Sequence, residues 1–371
     1  SAANCDASFI IPARELLTLS FEQLVQRVVH GHQRLFPLVL AALEERPMPL
    51  IGNYLEPLLD DTDEDEEETG PAPVVAPAPY TQSMFLQETS LESQQMTDLF
   101  ALLQDKPQLI LQGPPGTSKT YVAQRLAKLL TGLAEPGQQV VTVQFHPAYG
   151  YEDFIEGIRP ESKPGANGHH VVDYPVLPGR FQTFCTEAAR HVETDTPFVF
   201  IIDEINRGNI PRIFGELMYL LEYRQESVLL PYSGKPFQIP PNVYLIGTMN
   251  TADRSIALVD FALRRRFHFV TMKADPDLFD RWFAAQSLDL AYLPSLYRRL
   301  CEEAIDDPHY HIGPSYFMDE DLTEEKLARI WRYNIEPLLL EYYVENHHKA
   351  EQWFWENELV QTIRNGHTTI P

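Results

Sequence analysis

The chain has 371 residues, 44% of them hydrophobic, and a formal net charge of −24 at pH 7. That length accommodates two or three packed units. The charge argues against a chain that grips nucleic acid through its own surface, because such proteins carry a basic footprint. The longest apolar stretch, Leu35 to Leu43, is interrupted by Pro37 and falls far short of the ~20 residues of a membrane span. Nothing at the start reads as an export signal, and the three cysteines (Cys5, Cys185, Cys301) have no metal or redox spacing. Reduced thiols and a cytoplasmic location are the expectation.

Taken in chain order, residues 1–59 read as helical, with Leu16, Leu17, Phe21, Leu24, Val25 and Val28 at helical spacing. Residues 60–80 read as a linker. Eight acidic residues between Asp60 and Glu68 precede a Pro- and Ala-rich stretch, and like charges and prolines keep such chain extended. Over 81–274 the pattern becomes strands alternating with helices. The apolar runs Gln108 to Leu111, Val140 to Phe145, Pro197 to Ile202, Val243 to Gly247 and Phe267 to Met272 predict five buried strands, with a helix over Thr120 to Leu130. Continuous apolar strands alternating with helices imply a parallel sheet covered on both faces. Residues 275–371 lose the strand signal and carry aromatic and leucine positions at helical spacing, which predicts a helical subdomain.

Four elements carry chemistry. The first is Gly113-Pro114-Pro115-Gly116-Thr117-Ser118-Lys119-Thr120, between a strand and a helix. Phosphates need inward backbone N–H groups, which demands glycine-rich turns, and a helix N-terminus adds a favourable dipole. Lys119 would hold the β- and γ-phosphates and Thr120 would ligate Mg²⁺. Ser118 stands where a glycine is usual, so its Cβ is expected to crowd the loop. The second is an apolar strand ending in Asp203 and Glu204, which puts one carboxylate beside the metal and the other where it can polarise an attacking water.

The third is the strand Tyr244 to Asn250 followed by Thr-Ala-Asp253. A strand ending in a polar amide resembles the sensor element of AAA+ enzymes, and that resemblance implies that Asn250 orients water against the γ-phosphate. A competing reading takes Asn250-Thr-Ala-Asp253 as a guanine clamp, and a third takes Asp253 as a helix cap. The fourth is Arg264-Arg265-Arg266 before the last strand. These cations suit a helix C-terminus, and the element also resembles that of AAA+ rings, which implies an arginine reaching into a neighbouring subunit's site to neutralise transition-state charge. Arg264 and Arg265 are the functional candidates, with Arg266 partly structural. The pairs His169-His170, His309/His311 and His347-His348 lack companions at ligand spacing and read as ordinary surface or core histidines.

In this order and spacing the four elements resemble AAA+ ATPases. Three further stretches, Val143 to Gly157, Asp203-Glu-Ile-Asn-Arg-Gly-Asn209 and Ile246 to Arg254, resemble the McrB family more narrowly. So do Leu230-Pro-Tyr-Ser-Gly, His311-Ile-Gly-Pro-Ser-Tyr-Phe317 and the helix Trp331 to Leu338, although Pro314 replaces a histidine usual in the family. The resemblance covers about Met84 to Phe354. It implies an AAA+ P-loop fold, with a five-stranded parallel sheet followed by a helical lid and preceded by a short helical segment. It further implies a homo-hexameric ring hydrolysing GTP (or ATP) with Mg²⁺, a McrC-like nuclease partner, and action on modified DNA recognised by a separate domain or partner. Asn206 and Arg207 become active-site or interface candidates through the resemblance alone. Two other functions share the same core: a MoxR-like ATP-driven remodelling chaperone, and a nucleotide-gated scaffold whose turnover Ser118 has weakened.

Overall fold

The structure is a computed structural model that describes residues 79–164, 170–252 and 261–366. The expectations for residues 1–78 and for Asp253 lie outside the described residues. Two helices open the described chain, α1 (Gln82–Thr89) and α2 (Ser93–Asp105). The Thr81 hydroxyl accepts from Met84 N, and Gln95 Oε1 accepts from Glu92 N, so a side chain satisfies one backbone amide at each helix start.

Strand β1 (Gln108–Gly113) leads through the glycine-rich loop into α3 (Lys119–Thr131), and β2 (Val140–Gln144) follows. Next come the short helix α4 (Tyr151–Phe154) and two small antiparallel pairs. Strand β3 (Glu156–Ile158) pairs with β6 (Val176–Pro178), and β4 (Glu161–Pro164) pairs with β5 (His170–Asp173). Helix α5 (Arg180–Ala189) precedes β7 (Phe198–Asp203), and α6 (Ile210–Phe214) and α7 (Leu217–Glu222) follow it. The hairpin of β8 (Val228–Leu229) and β9 (Pro236–Phe237) leads to β10 (Val243–Asn250), then α8 (Phe261–Arg266) and β11 (His268–Thr271). The sequence pattern did not announce the three small pairs. Strands of two to four residues are too short to show a period, and Ile158, Val172, Val176 and Leu229 on them are exposed.

The five long strands form one parallel sheet in the order β11-β1-β10-β7-β2. The central strands β1, β7 and β10 are buried on both faces, which pack into different layers, whereas the edge strands β2 and β11 are only partly buried. Ile110, Phe198, Phe200, Ile202 and Leu245 pack with α5, α6 and α7. Leu109, Leu111, Val199, Ile201 and Ile246 pack with α1, α2 and α3. In the first of these layers Glu156 is buried at 1% exposure, and its Oε1 accepts from the amides of Tyr232 and Ser233. This gives a structural account of two of the family-like stretches, since one carboxylate ties them together.

Beyond the sheet the chain is helical: α9 (Pro276–Ala284), α10 (Leu293–Arg299), α11 (Glu324–Ile330), α12 (Glu336–Tyr342), α13 (His347–Glu351) and α14 (Glu358–Arg364). Asp275 caps α9 with Pro276 in its first turn. These helices share a separate core around Phe279, Tyr297, Phe317 and Trp331, and the Trp331 indole donates to Trp353 O at 2.6 Å. No helix among the described residues is long and apolar enough to cross a membrane.

Candidate nucleotide site

Parallel register brings three strand ends to one rim. Gly113 lies beside Asn250, and Gly247 beside Ile202, so the glycine-rich loop, the end of β10 and the Asp203-Glu204 pair are neighbours. The strand carrying Asn250 sits between β1 and β7. Gly113 is required by space, since a Cβ there would lie 2.1 Å from Met272 O, and Gly116 by its φ of +76°. Ser118 stands at the turn into α3. It adopts the left-handed region at φ 60° as N-cap of α3 and makes no side-chain cap bond, which leaves the first turn of that helix open to an anion.

Lys119 is buried, and its Nζ donates to Pro114 O at 2.7 Å. Burial draws its pKa down to about 8, and the nearby Glu204 and Asp203 carboxylates only partly offset that. The Thr120 hydroxyl donates to Asp203 Oδ1 at 2.6 Å, and the Thr248 hydroxyl donates to the same oxygen at 2.6 Å. Hard oxygens from Thr120 and Asp203 at this separation suit Mg²⁺, which takes one or two protein oxygens and fills the rest with water and phosphate. Among the described residues no cluster of three or more His, Cys, Asp or Glu could hold an ion.

Glu204 sits at φ 51°, an uncommon backbone conformation for a residue with a Cβ. The strained turn aims its carboxylate back across the rim, where Oε1 accepts from Asn250 Nδ2 at 2.5 Å. Arg207 Nε lies 3.3 Å from Glu204 Oε2. Asn206 donates to Asn250 O at 3.3 Å, and its own Oδ1 is buried without a hydrogen-bond partner among the described residues. Thr248 is the residue that sequence reasoning missed. Its Oγ1 also accepts from Glu204 N at 3.3 Å, so one hydroxyl bridges both carboxylate residues. The available signal was parity, since Thr248 and Asn250 lie two apart on one strand face.

The arginines of α8 lie elsewhere. Arg265 is paired with Glu222 through both carboxylate oxygens at 2.8 and 2.9 Å. Arg266 donates to Met218 O and pairs with the same Glu222. Arg264 is exposed, with its guanidinium 5.2 Å from the Phe269 ring centroid and no carboxylate partner among the described residues. Phe269 is level with Ile110 in the sheet, so about 10 Å of strand separates the level of the residue Arg264 packs on from that of Gly113. The α8 arginines are therefore outside the cluster that the rim brings together.

Comparison with known proteins agrees with this geometry. Residues 108–267 match the family described as AAA domain (dynein-related subfamily), and residues 292–351 match the McrB alpha-helical lid domain. The Type IV methyl-directed restriction enzyme EcoKMcrB subunit of Escherichia coli (strain K12) is 40% identical over 292 residues, which cover 73% of this chain and 60% of that protein. The Type II restriction enzyme BsuMI component YdiS of Bacillus subtilis (strain 168) is 26% identical over 205 residues, covering 46% of this chain and 58% of that protein. The chain thus spans about three fifths of the length of each relative. With a P-loop, an acidic strand end and an intervening Asn-bearing strand on a sheet of this order, followed by a matching lid, the chain belongs to the McrB family of AAA+ domain proteins.

Proposed function

We propose that this chain is a Mg²⁺-dependent nucleoside triphosphatase that works as the GTP-hydrolysing ring motor of a modification-dependent restriction system. The observation that carries the hydrolase reading is the Glu204 carboxylate, held by Asn250 at 2.5 Å beside the Thr120–Asp203 pair and Lys119. In this reading Lys119 and the open N-terminus of α3 bind the triphosphate. Thr120 and Asp203 would hold Mg²⁺, which supplies Lewis-acid neutralisation of phosphate charge. Asn250 orients Glu204 so that one carboxylate oxygen accepts a proton of the attacking water. As the water oxygen bonds to the γ-phosphorus, the bond from that phosphorus to the β–γ bridging oxygen breaks, and the nucleoside diphosphate leaves.

An assembly is part of the proposal because the α8 arginines stand away from their own rim. Among the described residues Arg264 has no carboxylate partner, which favours it for reaching a neighbouring copy's phosphates. A homo-hexamer, a McrC-like nuclease partner, DNA recognition through a separate domain or partner, guanine preference and a cytoplasmic location are supported by the family resemblance, and the first by this arginine placement. The acidic net charge supports leaving DNA recognition to another domain.

The test is phosphate release from GTP and from ATP with Mg²⁺, for wild type and Glu204→Gln, with and without a McrC-like partner. GTP-dependent release that falls by roughly 10²-fold or more in the variant, with nucleotide still bound, is expected. Release from ATP alone would favour a remodelling chaperone instead, and unchanged release in the variant would remove Glu204 from the chemistry.

A further inference from the structure

We infer that the lid loop Gly313–Ser315 sets the conformation of the phosphate-binding loop, with Gly313 as a positioning residue for the triphosphate; this rests on the nucleotide-binding reading above. Two lid amides that flank Pro314 reach the loop backbone. Gly313 N donates to Pro115 O at 3.0 Å, and Ser315 N donates to Gly116 O at 3.0 Å. No cis peptide occurs among the described residues. In a planar trans peptide the C=O and the following N–H point in opposite directions. Drawing the carbonyls of Pro115 and Gly116 outward to the lid therefore turns the amides of Gly116 and Thr117 the other way. Among the described residues neither amide has a protein acceptor. Two adjacent N–H groups turned to one side, with their carbonyls tied off on the other, form a nest for an anion.

The contact leaves no room for adjustment. A Cβ on Gly313 would lie 2.0 Å from the Gly116 carbonyl carbon and 2.4 Å from Thr117 N. Gly313 has an ordinary φ of −69°, so glycine is needed there for close approach and not for backbone freedom. Pro314 costs nothing, because the amides in use are those on either side of it. Its fixed φ suits the tight turn Pro314–Tyr316 that presents Ser315 N. The Tyr316 ring then covers Gly116, where a Cβ would meet the ring carbon Cε2 at 2.7 Å. The histidine-to-proline difference in this phrase thus leaves the backbone latch intact.

The latch acts on phosphate geometry and is blind to the base, and this distinguishes it from a general loosening of the lid. The experiment measures equilibrium binding of a non-hydrolysable Mg–GTP analogue, and of inorganic tripolyphosphate, to the full chain and to Gly313→Ala and Pro314→Ala. Gly313→Ala is expected to weaken both ligands by a similar factor, about tenfold or more, because two hydrogen bonds that shape the site are lost. Pro314→Ala stays within about twofold. For hydrolysis, KM rises more than kcat falls. Undiminished tripolyphosphate affinity in Gly313→Ala, or weakening confined to the nucleotide, overturns the inference.

Hydrogen exchange on the wild type guards against a variant that fails to fold. The Gly313 and Ser315 amides should be protected, and more so with tripolyphosphate bound, and exchange at the rate of an open loop also overturns the inference. A wild type that binds triphosphate, is weakened by Gly313→Ala and never hydrolyses would sink the hydrolase reading and leave the latch standing. Hydrolysis with an unaltered Gly313→Ala variant does the reverse.

Discussion

Lys119 has a folded-state pKa of about 8 because burial disfavours its charge. A triphosphate restores a counter-charge, so the bound state holds the proton more tightly than the free one. By linkage, affinity is fullest below pH 8 and weakens above it, by up to about tenfold per pH unit until the complex itself titrates. The stability of the free protein has the opposite slope. Between pH 8 and the ordinary lysine value of 10.5, the unfolded chain binds more protons than the folded one, so folding gains as pH rises through that window. Calorimetry of analogue binding at pH 7.5 and pH 9, in buffers of different ionisation enthalpy, checks both the weakening and a proton uptake near pH 8.5. A flat profile would show that Lys119 keeps its charge in the empty site. Ser118 gives a second test at this scale. Ser118→Gly should keep triphosphate affinity within about threefold, because glycine adopts φ 60° without cost, whereas the β-branched Ser118→Val should cost ~2 kcal/mol in stability. Urea unfolding and the binding assay together read the contrast.

At the scale of elements, the helix carrying the arginines is tied to the start of β1. Gln108 is fully buried, and its Nε2 donates to Leu221 O at 2.7 Å and Arg266 O at 2.6 Å, while its Oε1 accepts from Arg224. Lys106 Nζ donates to Arg265 O at 2.8 Å. One amide thus holds α7, α8 and a half-buried guanidinium together. Gln108→Leu keeps the volume and strands two carbonyls and a cation, so a loss of at least about 3 kcal/mol in urea unfolding is expected. An isosteric Gln108→Glu variant, which keeps an acceptor for Arg224 and loses the two donors, should fall between. In the helical lid, Trp331→Ala removes a fully buried indole and should cost about 3–5 kcal/mol.

This is also the scale at which legibility in the sequence divides. The central strands were readable because both parities are apolar, and the edge strands β2 and β11 by their shorter apolar runs, while the phosphate loop was readable because its chemistry needs those residue types at that spacing. Thr248 was hidden because a threonine inside an apolar strand reads as an ordinary strand former until its neighbour Asp203 is seen. Gly313 was part of a recognisable phrase with no visible task, because its purpose is a contact across nearly two hundred residues of chain. That the arginines stand away from the rim depends on strand register, which no linear spacing encodes.

At the scale of the whole molecule, that register makes a prediction about assembly. With Arg264 against Phe269, whose level lies about 10 Å of strand from that of Gly113, an α8 arginine acting on phosphate would be supplied by another copy, through a heterologous contact that can close into a ring. Each composite site then needs Glu204 from one subunit and Arg264 from the next. Glu204→Gln and Arg264→Ala should each be inactive alone while still binding the analogue. Mixed before nucleotide is added, they should recover turnover, because an Arg264→Ala subunit next to a Glu204→Gln subunit has both groups intact at one interface. Random mixing at equal amounts makes about a quarter of the interfaces competent. Recovery should track nucleotide-dependent growth in particle mass measured by light scattering. It should also improve as salt screens the repulsion between copies that each carry −24 charges. Arg265→Ala serves as the comparison, since it removes an exposed pair with Glu222 worth ~0.2–1 kcal/mol and leaves Arg264 in place. If Arg265→Ala is the variant that complements Glu204→Gln and Arg264→Ala keeps full turnover, the trans-acting group is Arg265, and it must leave Glu222 on assembly. If neither mixture recovers activity although both variants join the same particles, the α8 arginines do not act across the interface.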